Sequence, residues 1–387
     1  MNFLDNMFVN HSSIKMSMSS YKILYQLYEK ITDYNYDNKT ITNNNKNYEK
    51  IVSKETFQSI PIQIQTIIKK NRYLSKLVSY SLLSGREICI YIFHKINEEE
   101  TFIKELCNKI YIWLSFLDKY ANGNCSMTLN IYIFLTENEK KLTAEEPVIE
   151  PINANTAFTY SCQKNNEICV YRKEECFKVF IHETFHSFGL DFSSMSQILA
   201  NRIISSAFRI TNKTIDFKIY ESYCETWAQI INIIFMLYTY DKIEAKQENY
   251  ERWKKRCKLY LTYENLWSVF QANKVMNHYG IREDLLSSNE ISYEEKNTSP
   301  FSYYILKSYL INNIDDFILW SGKNNKNTIF FNNNKKNIEK YSHFVCESSH
   351  NVIHSVLLQE CQSFILKNGK KKEWKKFMTS LRMSLYG

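Results

Sequence analysis

Residues 174–190 read EECFKVFIHETFHSFGL. Phe177, Phe180, Ile181, Phe185 and Phe188 recur at helical spacing, and Gly189 is a natural stop for the helix they define. His182 and His186 stand four apart on it, with Glu183 beside the first. Residues four apart share a helix face about 6 Å apart along the axis, so two imidazoles can converge on one point while Glu183 lies one step round. A helix this apolar has little wetted face for three polar side chains, and buried polar groups need partners.

A metal ion supplies one partner for both rings. This is the HExxH arrangement, in which three protein ligands hold zinc, the zinc acidifies a water, and the glutamate accepts the proton without occupying a coordination position. Zn2+ is therefore the expected cofactor, with His182 and His186 as ligands and Glu183 as general base. A third ligand is available in YESYCETWAQIINIIFMLY, 220–238, an apolar helical stretch carrying Glu221 and Glu225. Two carboxylates on so apolar a helix also need a reason to be there.

Upstream, EICIYIFHK (87–95) reads as a buried strand, EETFIKELCNKIYIWLSFLDKYA (99–121) as an amphipathic helix and TLNIYIFLT (128–136) as a second buried strand. NTAFTYSC (155–162) and EICVYRK (167–173) are two further short strands, reached through a polar loop holding Pro147 and Pro151. Residues 1–83 read as helical, with Leu24, Leu27, Tyr28 and Ile31 on one face, then Ile64, Ile67 and Ile68, then Leu74, Leu77 and Val78. The Asn-rich segment 33–47 interrupts them as a surface loop. Beyond residue 240 the chain reads as helical with Asn-rich breaks, and no internal repeat is present. The expected fold class is α+β: a small mixed sheet with site helices at 86–240, between helical regions at 1–85 and 241–387.

Composition narrows the function classes. With 44% hydrophobic residues, only 7 Gly and 4 Pro, the chain reads as a helix-rich globular protein. A net charge of +8 from 49 basic and 41 acidic residues is a mild bias, so nucleic acid is not the expected partner; the densest basic run, KKKEWKK at 370–376, reads as a solvated helix face. The longest apolar runs, such as IINIIFMLY, fall short of the ~20 residues of a membrane span. Ten unpatterned cysteines and no leader-like N-terminus predict free thiols in a reducing compartment such as the cytoplasm.

The HExxH helix, the later carboxylate-bearing helix and the strands ahead of them together resemble the gluzincin type of zincin metallopeptidase. In that family HExxH is followed on a later helix by Glu-x-x-x-Asp or a close variant, matched here by Glu221-Ser-Tyr-Cys-Glu225. The resemblance implies that Glu221 is the third zinc ligand and that Glu225, in place of the usual Asp, orients a zinc histidine; the exchange leaves Glu225 open as the ligand instead. It implies that Asn155, Thr156, Ala157 and Phe158 form an edge strand that pairs with an extended peptide substrate. It also implies an oxyanion donor from the helical part downstream, for which NTSPFSYYILKSYL (297–310) offers Tyr303 and Tyr304 on a helix begun by Ser299 and Pro300. His278, His343, His350 and His354 are rivals for that role. Metzincins are disfavoured, because their pattern demands histidine where this chain has Phe192, and Asp191 is out of register for their aspartate variant.

The resemblance covers roughly residues 86–240. The Asn, Lys, Ile and Tyr excess, with the helical extensions, also resembles uncharacterised metalloproteases of giant DNA viruses, which would place the protein in host cytoplasm or virion. The expectation is thus a zinc-dependent peptidase. Its rivals are a non-enzymatic structural or virion protein that keeps zinc as a staple, and a basic nucleic-acid-binding protein.

Overall fold

The computed structural model describes residues 2–9, 13–34, 41–44, 46–96, 98–142, 146–211, 215–281 and 293–387. Six strands form one sheet: β1 (Thr42–Asn44), β2 (Leu74–Ser81), β3 (Glu87–His94), β4 (Thr128–Phe134), β5 (Ala157–Thr159) and β6 (Asn165–Val170). Their order is β1-β2-β3-β4-β6-β5, with β3, β4 and β6 parallel and the other pairings antiparallel. The three parallel strands are the near-continuous apolar runs of the sequence because both faces of the sheet are covered. Ile88, Ile90, Ile131, Ile133, Ile168 and Val170 point into the large core, and Phe93, Tyr132, Phe134 and Tyr171 into a smaller one on the opposite face.

Helix α1 (Met18–Thr32) buries Leu24, Leu27, Tyr28 and Ile31, and its N-terminus is capped by the Ser17 side chain, which accepts from the Ser20 amide. Helix α2 (Ile62–Lys70) lays Ile64 and Ile68 on the smaller core. Helix α3 (Glu100–Asp118) connects β3 to β4 and packs on the large-core face. The motif helix α4 (Cys176–Ser187) follows β6, and α5 (Tyr220–Thr239) lies against it. The long α6 (Tyr250–His278), a π-helical turn Phe301–Leu306 running into α7 (Lys307–Asn312), and the later helices complete the large core. The mixed α/β character agrees with the α+β expectation.

Four expectations are corrected. Leu74, Leu77 and Val78 lie on β2 and not on a helix: β2 pairs with β3 along its whole length, from Leu74↔His94 to Ser81↔Glu87, so long-range pairing overrides a local i, i+3, i+4 pattern. The boundary placed at residue 85 therefore falls within the β2–β3 hairpin. Thr42–Asn44 of the Asn-rich segment form β1, while residues 35–40 and 45 of that segment lie outside the described residues. Cys125 and Cys162, 37 residues apart, form a disulfide, and the other eight cysteines are free; no spacing rule reveals such a pairing from sequence. The segment begun by Ser299 and Pro300 is π-helical over Phe301–Leu306, and the Phe301 amide donates to the Glu295 carboxylate at 3.1 Å.

No helix among the described residues is long and apolar enough to cross a membrane.

Candidate metal centre

All twelve residues of α4 are buried. Its C-terminus is closed by backbone: Leu190 N donates to Phe185 O (2.8 Å) and Gly189 N to His186 O (3.1 Å), with Gly189 at φ +67°. That is the two-bond glycine stop in which only a residue tolerant of left-handed φ fits. The Ser126 hydroxyl donates to Ser187 O (2.7 Å), and Trp113 Nε1 of α3 donates to Thr184 Oγ1 (2.8 Å). The turn of helix bearing His182 and His186 is thereby fixed from both sides.

Helices α4 and α5 meet along a ladder of alternating sign. Lys178, His182 and His186 lie four apart on α4, and Glu225 and Glu221 lie four apart on α5, running the opposite way. Lys178 Nζ is 2.6 Å from Glu225 Oε1; Glu225 Oε2 is 3.1 Å from His182 Nδ1; Glu221 Oε2 is 3.0 Å from His182 Nε2 and 3.3 Å from His186 Nε2. Beyond His186 the ladder ends at Asp191, whose carboxylate accepts from His186 Nδ1. Each charged side chain of the ladder has a neighbour of opposite sign, without which burial would cost several kcal/mol per ion. Although burial favours the neutral ring, Glu221 and Glu225 hold His182 up at about 9. Asp191 and Glu221 hold His186 higher still against the same burial. Burial pushes both glutamates up, but the cations beside them, His186 and His182 for Glu221 and Lys178 and His182 for Glu225, bring both below the usual carboxylate range.

Three atoms at the heart of the ladder fit one ion. His182 Nε2, His186 Nε2 and Glu221 Oε2 are separated by 3.0, 3.2 and 3.3 Å. A tetrahedral zinc with bonds of about 2.05 Å holds its ligands about 3.3 Å apart. With Asp191 accepting from His186 Nδ1, that ring turns a lone pair at Nε2 towards the other two atoms. A proton on His182 Nε2 satisfies one of the contacts; a divalent cation between the three atoms satisfies them together. The donor set, two imidazoles and a carboxylate, is one that zinc accepts.

The two glutamates differ in their contacts. Glu221 touches both Nε2 atoms, whereas Glu225 lies near His182 Nδ1, off the line of a ring hydrogen bond, and is tied to Lys178.

Glu183 belongs to no rung. It is 7% exposed, and no hydrogen bond from a described residue reaches its carboxylate; burial raises its pKa, with His182 and His186 opposing. It lines a cavity with His182, Glu225 and Tyr303 on one side and Asn155, Thr156 and Ala157 on the other. The cavity leaves about 30 Å³ for water-sized occupants, room for one or two waters and not for a peptide. A larger surface depression of about 810 Å³, bounded by Met7, Val356, Phe364 and Trp374, contains none of these residues.

β5 is the outermost strand of the sheet beside the cavity; of the residues expected on it, Ala157 and Phe158 belong to it and Asn155 and Thr156 precede it. Asn155, Thr156 and Ala157 reach the cavity, and Thr156 Oγ1 is buried there without a hydrogen-bond partner. Phe158 instead packs on the smaller core. Tyr303 faces the site, its ring 6.0 Å from His182. Tyr304 does not: it is fully buried and donates to Leu381 O at 2.7 Å. Among the rival histidines, His354 is buried against Ser308, in the first turn of α7.

Sequence reasoning did not find Lys178 or Tyr220, whose ring lies 5.8 Å from His186, and it weighed Asp191 only as a ligand, out of register, and not as the partner of His186. Lys178 carried a signal, its i−4 spacing from His182. Asp191 carried only its position two residues beyond the glycine stop. No family model matches the chain, and no curated protein or solved structure matches it either.

Proposed function

We propose that the protein is a zinc-dependent peptidase of the gluzincin type. One observation carries the proposal: three ligand atoms from two helices lie within 3.0 to 3.3 Å of one another, with Glu183 beside them facing a cavity bounded by an edge strand. His182, His186 and Glu221 would hold the metal, and Asp191 and Glu225 would orient the two imidazoles. When bound, zinc supplies Lewis acidity towards a carbonyl oxygen and a water. The chain's own part is to place Glu183 where it can take a proton from that water and return it to the leaving amine. Tyr303 would donate to a developing oxyanion, and the free side of β5 would align an extended peptide.

The small cavity favours a second reading, a metal that staples α4 to α5 in a protein without activity. Glu183→Gln separates the two. The amide is nearly isosteric and all three ligands remain, so zinc content should be unchanged while turnover of a quenched peptide library falls ~10² to 10⁴-fold. A Gln variant that cleaves as fast as the parent contradicts the peptidase assignment, and a variant that loses its metal contradicts the role of Glu183.

A further inference from the structure

Residues 381–386 form neither helix nor strand, yet Leu381, Met383 and Ser384 are buried. Side chains from separate elements hold their backbone. Tyr304 Oη donates to Leu381 O (2.7 Å) and Trp267 Nε1 to Arg382 O (3.1 Å). Gln229 Nε2 and Lys307 Nζ both donate to Met383 O, at 2.6 and 3.0 Å. Glu175 accepts from the amides of Met383 (3.2 Å) and Ser384 (2.6 Å), and Glu264 from that of Leu385 (3.1 Å). Apart from the Leu381 amide, which donates to Lys140 O (3.1 Å), these main-chain groups are met by side chains of other elements and not by a helix or a sheet, as the main chain of a bound peptide is. The carboxylate of Glu175 is in turn 2.8 Å from buried Lys140 and 3.6 Å from Lys178, the first rung of the α4–α5 ladder.

Met383 lines the same cavity as Glu183 and the unpartnered Thr156 hydroxyl. We propose that residues 381–387 are a peptide bound in cis, seated in a groove that leads to Glu183, and that this strap keeps the cavity at the size of a water or two. Withdrawn, it leaves a groove that accepts a free peptide of the same sequence. That the strap inhibits catalysis rests on the peptidase assignment; that it is a detachable ligand does not.

Two measurements test it, and neither uses activity. In native-state hydrogen exchange of the full chain, the amides of Met383, Ser384 and Leu385 should exchange at least about 100-fold faster than those in the middle of α5, through a local opening. Exchange of both sets only by global unfolding overturns the proposal. A chain ending at Ser380 should bind fluorescein-labelled LRMSLYG with one-to-one stoichiometry, bind a scrambled peptide at least about 10-fold more weakly, and bind far more tightly than the full chain does. A folded truncated chain that ignores the peptide, or a full chain that binds it equally well, overturns the proposal; if the shortened chain does not fold, the exchange experiment decides. Peptide binding without cleavage by any form keeps the strap and counts against the peptidase.

Discussion

Glu225→Gln separates a metal ligand from a residue that orients one. The side chain makes two charged contacts, to Lys178 Nζ at 2.6 Å and to His182 Nδ1 at 3.1 Å. The amide keeps the volume and an acceptor oxygen but removes the charge. Removing one partner of a buried pair costs about 3–5 kcal/mol when the other is left alone. Lys178 is not left alone, since Glu175 is 3.6 Å away, so the loss of folding stability should stay below about 3 kcal/mol and the variant should fold. Carboxylates that support metal-bound histidines typically contribute 10–100-fold to metal affinity, and the off-line contact to His182 places Glu225 near ~10-fold, or about 1.4 kcal/mol. Competition with a chromophoric chelator measures this directly. Glu221→Gln, which removes a contact to both Nε2 atoms, should lose far more than 100-fold in the same assay. If Glu225→Gln abolishes binding while Glu221→Gln weakens it about tenfold, the two glutamates have been assigned the wrong way round.

Asp191→Asn should weaken zinc binding by about 10–100-fold in that titration, because the partner of His186 Nδ1 loses its charge; unchanged affinity removes Asp191 from the site. Gly189→Ala places a side chain at φ +67° with its Cβ 3.1 Å from Cys125 Sγ, and urea denaturation should register at least about 1–2 kcal/mol of destabilisation, whereas a neutral result would mean that the helix stop is not held as described. His354 is buried, and desolvation holds its pKa down at about 3, so its contribution to stability is complete above the unfolded value near 6.5 and is lost as pH falls towards 3. From pH 7.0 to 5.5 the parent should therefore lose about 1.3 kcal/mol that His354→Leu does not, and equal losses in both chains would place a charged ring in the core.

The strands β3, β4 and β6 and the helices α3, α4 and α5 are legible in the sequence because each carries a long apolar pattern of one period. β2 is not, since three apolar residues at 74, 77 and 78 fit a helix as well as a strand until pairing with β3 decides. At the site, the motif places His182, Glu183 and His186, and helical spacing places Glu221 and Glu225 on one face. That α5 runs antiparallel to α4, so that Lys178, Glu225, His182, Glu221 and His186 alternate, is a tertiary fact that fixes which glutamate meets which nitrogen. Asp191 returns to His186 only because the chain turns sharply at Gly189. The strap, the disulfide and the enclosure of the cavity come from contacts between residues tens to hundreds of positions apart, which no local pattern encodes.

Zinc stoichiometry of the intact chain tests the central claim most directly. Protein prepared under zinc-replete conditions and examined by native mass spectrometry should carry one zinc ion per chain, and a His182→Ala, His186→Ala double variant that remains folded should carry none. Parent protein that is metal-free after such preparation, or a double variant that retains its zinc, would contradict a metal centre at the junction of α4 and α5.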